Sequence, residues 1–230
     1  INTIAHQHSL LVVEDAAEAQ GAFYKDRPVG SLGHVATFSF SGNKVITTGE
    51  GGMIVTDDDE IASKARILRD HGMSPQKRYW HTELGFNYRM TNLQAAVGVA
   101  QMRKFNWIIQ RKKKIADWYI SNLSGCVGLI LPPNLSWAEN IYWLFTILID
   151  EEKFGVSVCE LAEVLKSNGI DTRPVFYPMH TQPIYANDHV RSFPSAEQLN
   201  RMGLSLPSSP DLTSNDVIST CDIIKTLSKS

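Results

Sequence analysis

The 230-residue chain is poor in cysteine and lacks paired metal-binding motifs. Its three cysteines, Cys126, Cys159 and Cys221, lie far apart, and no CxxC or HxxxH spacing occurs. An odd number of cysteines argues against a disulfide framework. We therefore expect buried, reduced thiols in a cytoplasmic protein that holds no metal.

The sequence also lacks a strong charge of one sign and a long apolar run. A formal net charge of −2 makes nucleic acid and anionic membranes poor candidates for partners. No apolar stretch reaches the roughly 18–20 residues that span a bilayer. With 43% hydrophobic residues, the chain can bury a core in one or two domains. It starts at Ile1 without Met, and we expect it to be the C-terminal piece of a longer protein.

The first part of the chain reads as an α/β sheet. The apolar run at 10–13 ends in Glu14 and Asp15, which predicts a buried parallel strand with a carboxylate at its carboxyl end. Ligands of open α/β sheets bind at that edge. Further strands are predicted at 35–40 and 53–56, joined by the turn SGNKVITTGEGG.

The remaining pattern predicts helices followed by a second, smaller α/β unit. Helices are expected at 60–71 and 91–123, and the basic run at 111–114 should form a solvated helix face. A Pro- and Asn-bearing connector at 131–140 suggests domains 1–130 and 131–230. Strands are expected at 142–149, 170–176 and 204–206. The predicted helix caps are Ser157 with Glu160, Ser195 with Gln198, and Thr213 with Asp216.

Lys44 lies in the glycine-rich turn and has two possible roles. A partly buried lysine is a nucleophile toward carbonyls and forms Schiff bases. Asp15 could pair with a protonated ring nitrogen, as in pyridoxal phosphate (PLP) enzymes, and Ser39 could bind a phosphate oxygen. Each signal alone is weak, because strand-end aspartates usually cap turns and lysines in such turns are usually solvated. GEGG is also not a GxxxxGK[ST] phosphate loop.

Taken together, four strings resemble the DegT/DnrJ/EryC1/StrS family of PLP-dependent sugar aminotransferases. They are VVEDAAEAQGA, GSLGHVATFSFSGNKVITTGEGGMIVTDD, GFNYRMTNLQAAVGVAQM and TRPVFYPMH, and the resemblance runs from Ile1 to the end. It implies the aspartate aminotransferase fold (fold type I), with a large, mostly parallel-sheet domain and a small C-terminal domain. It also implies a homodimer with shared active sites.

The resemblance further implies a reaction. RDHGMSPQKRYWH and SFSGNKVITTGEGG are most similar to the perosamine-forming subgroup. Those enzymes move an amino group from glutamate to the C4 keto group of GDP-4-keto-6-deoxymannose, a step in lipopolysaccharide O-antigen biosynthesis. UDP- or dTDP-linked sugars and a truncated, non-catalytic fragment remain alternatives. In the related sugar dehydratases a histidine replaces the lysine, so Lys44 favours transamination.

Roles for individual residues also follow from the resemblance. Lys44 would hold PLP covalently and move the proton, Asp15 would pair with the pyridine nitrogen, and Ser39 would bind the phosphate. Asn87 would reach the phosphate from a partner subunit. The expected substrate contacts are Tyr79, Trp80, His81, Arg173 and His180, and Arg89 is a further candidate anion contact; for the two arginines, structural salt bridges are an equal alternative.

Two features depart from the family pattern. Many members have Gln where this chain has Glu18, beside the cofactor's 3′-oxygen, and a carboxylate there needs a proton or a strong hydrogen bond. The chain also does not contain the family's N-terminal portion. That portion includes the small-residue turn that completes the phosphate site and the aromatic residue that stacks on the ring.

Overall fold

The computed structural model describes residues 1–185 and 191–229. In chain order its elements are α1 (Asn2–Gln7), β1 (Val13–Asp15), β2 (Phe23–Tyr24), β3 (Arg27–Pro28), β4 (Val35–Ser39), β5 (Gly52–Thr56), α2 (Asp59–Arg69), α3 (Asn92–Arg103), α4 (Phe105–Leu123), β6 (Leu129–Ile130), β7 (Ala138–Glu139), β8 (Phe145–Ile149), α5 (Glu151–Phe154), α6 (Val158–Ser167), β9 (Arg173–Pro174), α7 (Pro194–Met202), β10 (Gly203–Leu206) and α8 (Ser214–Leu227). Short 3-10 turns occur at Met179–Thr181 and Pro183–Tyr185.

The chain divides into two compact units. Unit 1 comprises Ile1–Ile109 and Asn134–Trp143, and unit 2 comprises Gln110–Pro133 and Leu144–Ser230. This division differs from the predicted boundary at residue 130, because β7 pairs with β2 and so returns part of the connector to unit 1. The assignment of a cofactor-binding domain and a small domain stays a prediction.

Unit 1 contains two described sheets, one with the strand order β1-β4-β5 and a smaller one with the order β3-β2-β7. β1 runs parallel to β4, with Asp15 opposite Thr37, and β5 runs antiparallel to β4, with Gly52 opposite Ser39. The strands predicted at 35–40 and 53–56 are confirmed.

The first predicted strand needs correction in both its position and its burial. β1 covers Val13–Asp15 rather than 10–13, and Leu11 is 70% exposed. An apolar run signals burial only where other elements cover both faces of the sheet. Within the described residues, Leu10 and Val13 are also more than half exposed.

The long helix predicted at 91–123 is two helices, α3 and α4, separated at Lys104. The Lys104 backbone N–H donates to the carbonyl of Gln101 at 2.9 Å, which closes α3 with a tight final turn. The first turns of α4 bring Ile108 and Ile109 into the buried core of unit 1.

Unit 2 is built on the antiparallel sheet β6-β8-β10-β9. The strand predicted at 142–149 begins at Phe145, and the one predicted at 170–176 is only the two-residue β9. Its core includes the rings of Tyr119 and Phe145, whose centroids lie 4.8 Å apart in a stacked arrangement. The residues on both sides of β9 form loops, although a longer strand was predicted there.

Two of the three predicted helix caps are confirmed. Ser157 with Glu160 and Thr213 with Asp216 form capping boxes. The Ser195 cap is wrong, because α7 begins earlier and has Pro194 in its first turn, where a missing N–H costs nothing.

The basic run at 111–114 does not form the predicted solvated face, because of its four residues only Lys114 is fully exposed. Lys112 is only 6% exposed and donates from Nζ to the carbonyl of Ser208 at 2.9 Å. Arg111 Nε donates to the carbonyl of Pro210 at 3.0 Å. Burial lowers the pKa of Lys112 from 10.5 to about 8.

No helix among the described residues is long and apolar enough to cross a bilayer. The same residues contain no group of three or more His, Cys, Asp or Glu side chains that could hold a metal ion.

Candidate active site

The turn that carries Lys44 is fixed by its own backbone. The Lys44 N–H donates to the carbonyl of Ser41 at 3.0 Å, and the Thr48 N–H donates to that of Phe40 at 2.9 Å. Gly51, with φ of +150°, closes the turn, and a Cβ there would lie 2.6 Å from the Thr48 hydroxyl. The positive φ and the close Thr48 hydroxyl together favour glycine at this position.

The two residues that follow Lys44 are buried in the core, and the lysine side chain extends from the opposite side of the turn. Val45 and Ile46, which follow Lys44, are buried against Ile108, Ile109 and Ile141. Two large apolar side chains next to a lysine thus anchor the turn to the core. The amine projects from an anchored piece of backbone rather than from a loose loop.

Gln20 links Ser39, at the end of β4, to Ile46 in the lysine turn, and the sequence analysis did not identify it. Its side chain is buried, donates from Nε2 to the carbonyl of Ser39 and accepts the Ile46 N–H at Oε1 over 3.1 Å. Both amide atoms are therefore satisfied by the strand end and by the turn. The only signal in the sequence is a polar residue among small ones in AEAQGA.

Trp143 supports the turn from a distant part of the chain. Its indole Nε1–H donates to the carbonyl of Asn43 at 2.7 Å. The Lys44 Nζ lies 4.2 Å from the centroid of the indole ring, within the range of a cation–π contact. The hydrogen bond joins residues 100 apart in sequence, so no local pattern could have revealed it.

The amine of Lys44 also meets a carboxylate. Nζ lies 3.1 Å from Oε1 of Glu18, and the two side chains are 13% and 53% exposed. An ion pair with one exposed partner contributes little to stability. The ion pair instead orients the lysine side chain, because the ammonium is held between a carboxylate and an aromatic face.

Asp15 and Ser39 lie on the same side of the sheet. Asp15 is opposite Thr37, and Ser39 follows Thr37 by two residues, so the three side chains share one face. Asp15 Oδ1 accepts the Ala17 N–H at 3.1 Å. The Ser39 hydroxyl oxygen accepts the Ser41 N–H at 3.3 Å, which leaves its proton able to point toward another acceptor.

The two acidic residues at this strand end differ in what they contact. Glu14 accepts the backbone N–H groups of Gly30, Leu32 and Gly33, and so holds the 30–33 loop closed. Asp15 is exposed and makes the single local contact described above. Of the pair, Asp15 is the carboxylate that can still meet a ligand.

The structure does not join the other unit 1 candidates to Lys44. Within the described residues, no hydrogen bond or ion pair links Tyr79, Trp80, His81 or Asn87 to the lysine. Tyr79 and Trp80 are more than half exposed, Asn87 is exposed, and His81 Nδ1 lies 2.8 Å from the carbonyl of His71.

Arg89 has a structural partner. It lies 3.4 Å from Asp70 in an exposed ion pair, as the salt-bridge alternative predicts. Its role as an anion contact stays a prediction.

Arg173 and His180 belong to unit 2. Arg173 pairs with Ser205 in the sheet and lines a cavity of about 540 Å³ together with Ser208 and Thr220. His180 Nε2 lies 2.9 Å from Glu197, and this hydrogen bond lowers the pKa of the Glu197 carboxyl. Their roles toward substrate stay predictions.

Comparison with known proteins gives a consistent result. The model of the DegT/DnrJ/EryC1/StrS aminotransferase family matches residues 1–225. GDP-perosamine synthase of Caulobacter vibrioides is 43% identical over 217 residues, which are 93% of this chain and 58% of the relative.

Two solved structures are similar along most of the chain. DesI, determined in the presence of its TDP-sugar product, gives a TM-score of 0.89 at 29% identity. The match covers 98% of this chain and 57% of the DesI chain. The PLP form of the protein Spr1654 from Streptococcus pneumoniae gives a TM-score of 0.86 at 26% identity, and the match covers 95% of this chain and 57% of the Spr1654 chain. The predicted fold class, the α/β fold of PLP-dependent transferases of fold type I, is confirmed. The chain spans less than two thirds of the length of each of these proteins.

Proposed function

The chain belongs to the DegT/DnrJ/EryC1/StrS aminotransferase family, and we propose that it carries the reactive lysine of a sugar-nucleotide aminotransferase. The reaction transfers the amino group of glutamate to the C4 keto group of GDP-4-keto-6-deoxymannose and yields GDP-perosamine and 2-oxoglutarate. The observation that carries the proposal is the shielded Lys44 amine, 3.1 Å from Glu18, in a turn that follows directly from the strand bearing Ser39.

The side chains present fit PLP. Lys44 offers the amine that bonds the cofactor's aldehyde carbon, Asp15 an exposed carboxylate for the ring nitrogen, and Ser39 a hydroxyl proton for the phosphate. When bound, PLP supplies an electron-poor ring that takes up the electron pair left by a broken C–H bond. Asn87, contributed by a second copy of the chain, would complete the phosphate contact in a homodimer.

Each residue then has a definite task. Asp15 keeps a proton on the ring nitrogen, because a carboxylate stabilises the cationic form. Lys44 Nζ would carry the proton between the cofactor's C4′ carbon and the sugar carbon, and would have to be neutral to accept it. Glu18 Oε1, 3.1 Å from Lys44 Nζ, would orient the amine and would lie beside the cofactor's 3′-oxygen.

The sugar nucleotide is chosen on similarity. The perosamine synthase is 43% identical, whereas DesI, whose product is a TDP-sugar, is 29% identical. This favours a GDP-linked sugar and a cytoplasmic role in making lipopolysaccharide O-antigen. Tyr79, Trp80, His81, Arg173 and His180 are the proposed substrate contacts.

A second possibility has its own support. The chain spans 58% of the perosamine synthase, so this chain on its own could bind cofactor without completing the reaction. Lys44 labelling without amination of any nucleotide-linked keto sugar would favour that possibility.

The test is reductive trapping. The protein is mixed with PLP, reduced with borohydride and digested, and mass spectrometry identifies the labelled lysine. We expect label on Lys44 and a loss of at least about a hundredfold in Lys44→Ala, because the Schiff base requires that amine. Lys114→Ala, which removes an exposed lysine of α4, is the matched control and should trap as wild type. Undiminished cofactor trapping by Lys44→Ala through another lysine would overturn the assignment.

A further inference from the structure

Trp143 contacts both the backbone and the amine of the lysine turn. We propose that it is a positioning residue for Lys44: its N–H fixes the turn through Asn43, and its ring face holds the lysine ammonium. The inference rests on the proposed function only in taking Lys44 as the reacting amine.

Three contacts define the position of the lysine side chain. Nζ lies 4.2 Å from the Trp143 ring centroid and 3.1 Å from Glu18, while the turn below is held 2.7 Å from the indole nitrogen. A lysine side chain has four rotatable carbon bonds, so a free one samples many positions. A carboxylate and a ring face together restrict the ammonium to one of them.

The aromatic face also discriminates between the two forms of the amine. It attracts the ammonium through the ring quadrupole and has no comparable attraction for the neutral amine. The ring face donates no hydrogen bond, so it leaves the lone pair of the neutral amine free. Trp143 would therefore hold Lys44 while it is charged and release it once the proton has left.

The backbone conformation directly before Trp143 sets the position of the indole. Tyr142 has a φ of +48°, an unfavourable value for a residue with a Cβ. Its N–H donates to the Asn140 side chain at 2.8 Å, and the preceding Ile141 is buried in the core beside Val45. A strained backbone persists only where its surroundings enforce it, and it often marks a functional position.

The experiment compares three variants by PLP trapping. Trp143→Leu removes both the N–H and the aromatic ring, whereas Trp143→Phe removes the N–H and keeps a smaller aromatic ring. Trp118→Leu removes an indole of unit 2 that lies 5.3 Å from Arg111 and 5.5 Å from Lys114. The initial rate of Lys44 labelling is measured against that of Lys166, an exposed lysine of α6, in the same sample, and thermal unfolding confirms that each variant is folded.

We expect labelling at Lys44 to fall about tenfold in Trp143→Leu and about threefold in Trp143→Phe, because a lysine side chain that is no longer held samples many positions from which its amine does not reach PLP. Trp118→Leu should label as wild type. Equal labelling in Trp143→Leu and wild type would overturn the proposal. So would equal losses in the two Trp143 variants that merely follow a lowered unfolding temperature, since these indicate a structural role alone.

A cofactor-independent measurement keeps the two proposals separate. Acetic anhydride acylates lysines without any PLP site, and Lys44 is only 13% exposed. Trp143→Leu should raise acylation of Lys44 by about threefold relative to Lys114, because it uncovers a partly desolvated amine. An unchanged ratio would refute the role of Trp143, whereas absence of PLP label on wild-type Lys44 would refute only the proposed function.

Discussion

Lys44 and Lys112 are both shielded from water, yet their surroundings differ. Lys112 lies inside unit 2, and its ammonium donates to a backbone carbonyl, that of Ser208. Lys44 lies at the surface of unit 1 between the carboxylate of Glu18 and the ring of Trp143. Burial lowers the pKa of Lys112 to about 8, which alone would make it the better candidate for a nucleophile.

The difference shows that a lysine with a lowered pKa is not for that reason a reactive lysine. Lys112 shares a helix face with Ile115 and Tyr119, both fully buried, and ties the 207–212 segment to α4. Lys112 is only 6% exposed, and the lining of the nearby cavity of about 540 Å³ includes its partner Ser208 but not the lysine itself. Lys44 instead follows a strand with Asp15 and Ser39 on one face, where a ring and a phosphate could bind.

The largest expected effect is a direct contrast between the two lysines. In native protein, PLP and borohydride should label Lys44 at least about a hundredfold faster than Lys112, because Lys112 must first be exposed by local unfolding. In strong urea the two rates should converge. Comparable native labelling of Lys112 would remove the distinction between the two sites.

A smaller effect concerns the support beneath the reactive lysine. Gln20→Ala leaves the Ile46 N–H without its partner, and it should lower the free energy of unfolding by about 1–3 kcal/mol. Urea denaturation measures the loss, with Gln7→Ala on the exposed face of α1 as the control. A cost no larger than that of the control would show that Gln20 does not secure the turn.

The smallest effect is a pH dependence caused by Lys112. Its folded pKa of about 8 lies below its ordinary value of 10.5, so above pH 8 the unfolded chain binds more protons and stability rises with pH. Burial raises the pKa of Cys221 to about 12, which opposes this trend above pH 9. That opposing contribution is the same in a Lys112 variant and cancels in the comparison.

Lys112→Met isolates the lysine contribution. Between pH 7 and 9, wild type should gain about 1 kcal/mol of unfolding free energy relative to the variant. Urea titrations at pH 7, 8 and 9 measure the difference. A constant difference across this range would mean that Lys112 keeps its proton despite its burial.

The sequence predicted those parts of the candidate site whose residues lie close together along the chain. Asp15, Glu18, Ser39 and Lys44 belong to two short strings that carry the family resemblance, and the structure brings Glu18 and Lys44 into contact. Trp143 could not be predicted, because its partner Asn43 is 100 residues away.

The wrong predictions have a common physical cause. Apolar residues at 10–13 suggested burial, and basic residues at 111–114 suggested solvent, but each outcome depends on what packs against the segment. Lys112 continues the buried face formed by Ile108 and Ile115, and its aliphatic stem is compatible with that face. Two of the three predicted caps were correct, because a capping box needs only two residues three positions apart.

The return of residues Asn134–Trp143 to unit 1 has a consequence for biosynthesis. A ribosome that has made the lysine turn must add the whole of α4 before the indole that braces the turn exists. At roughly 5–20 residues per second, that interval is about 5–20 s. Through that time the nascent chain carries an unbraced lysine, and a chain ended at residue 130 would never acquire its brace.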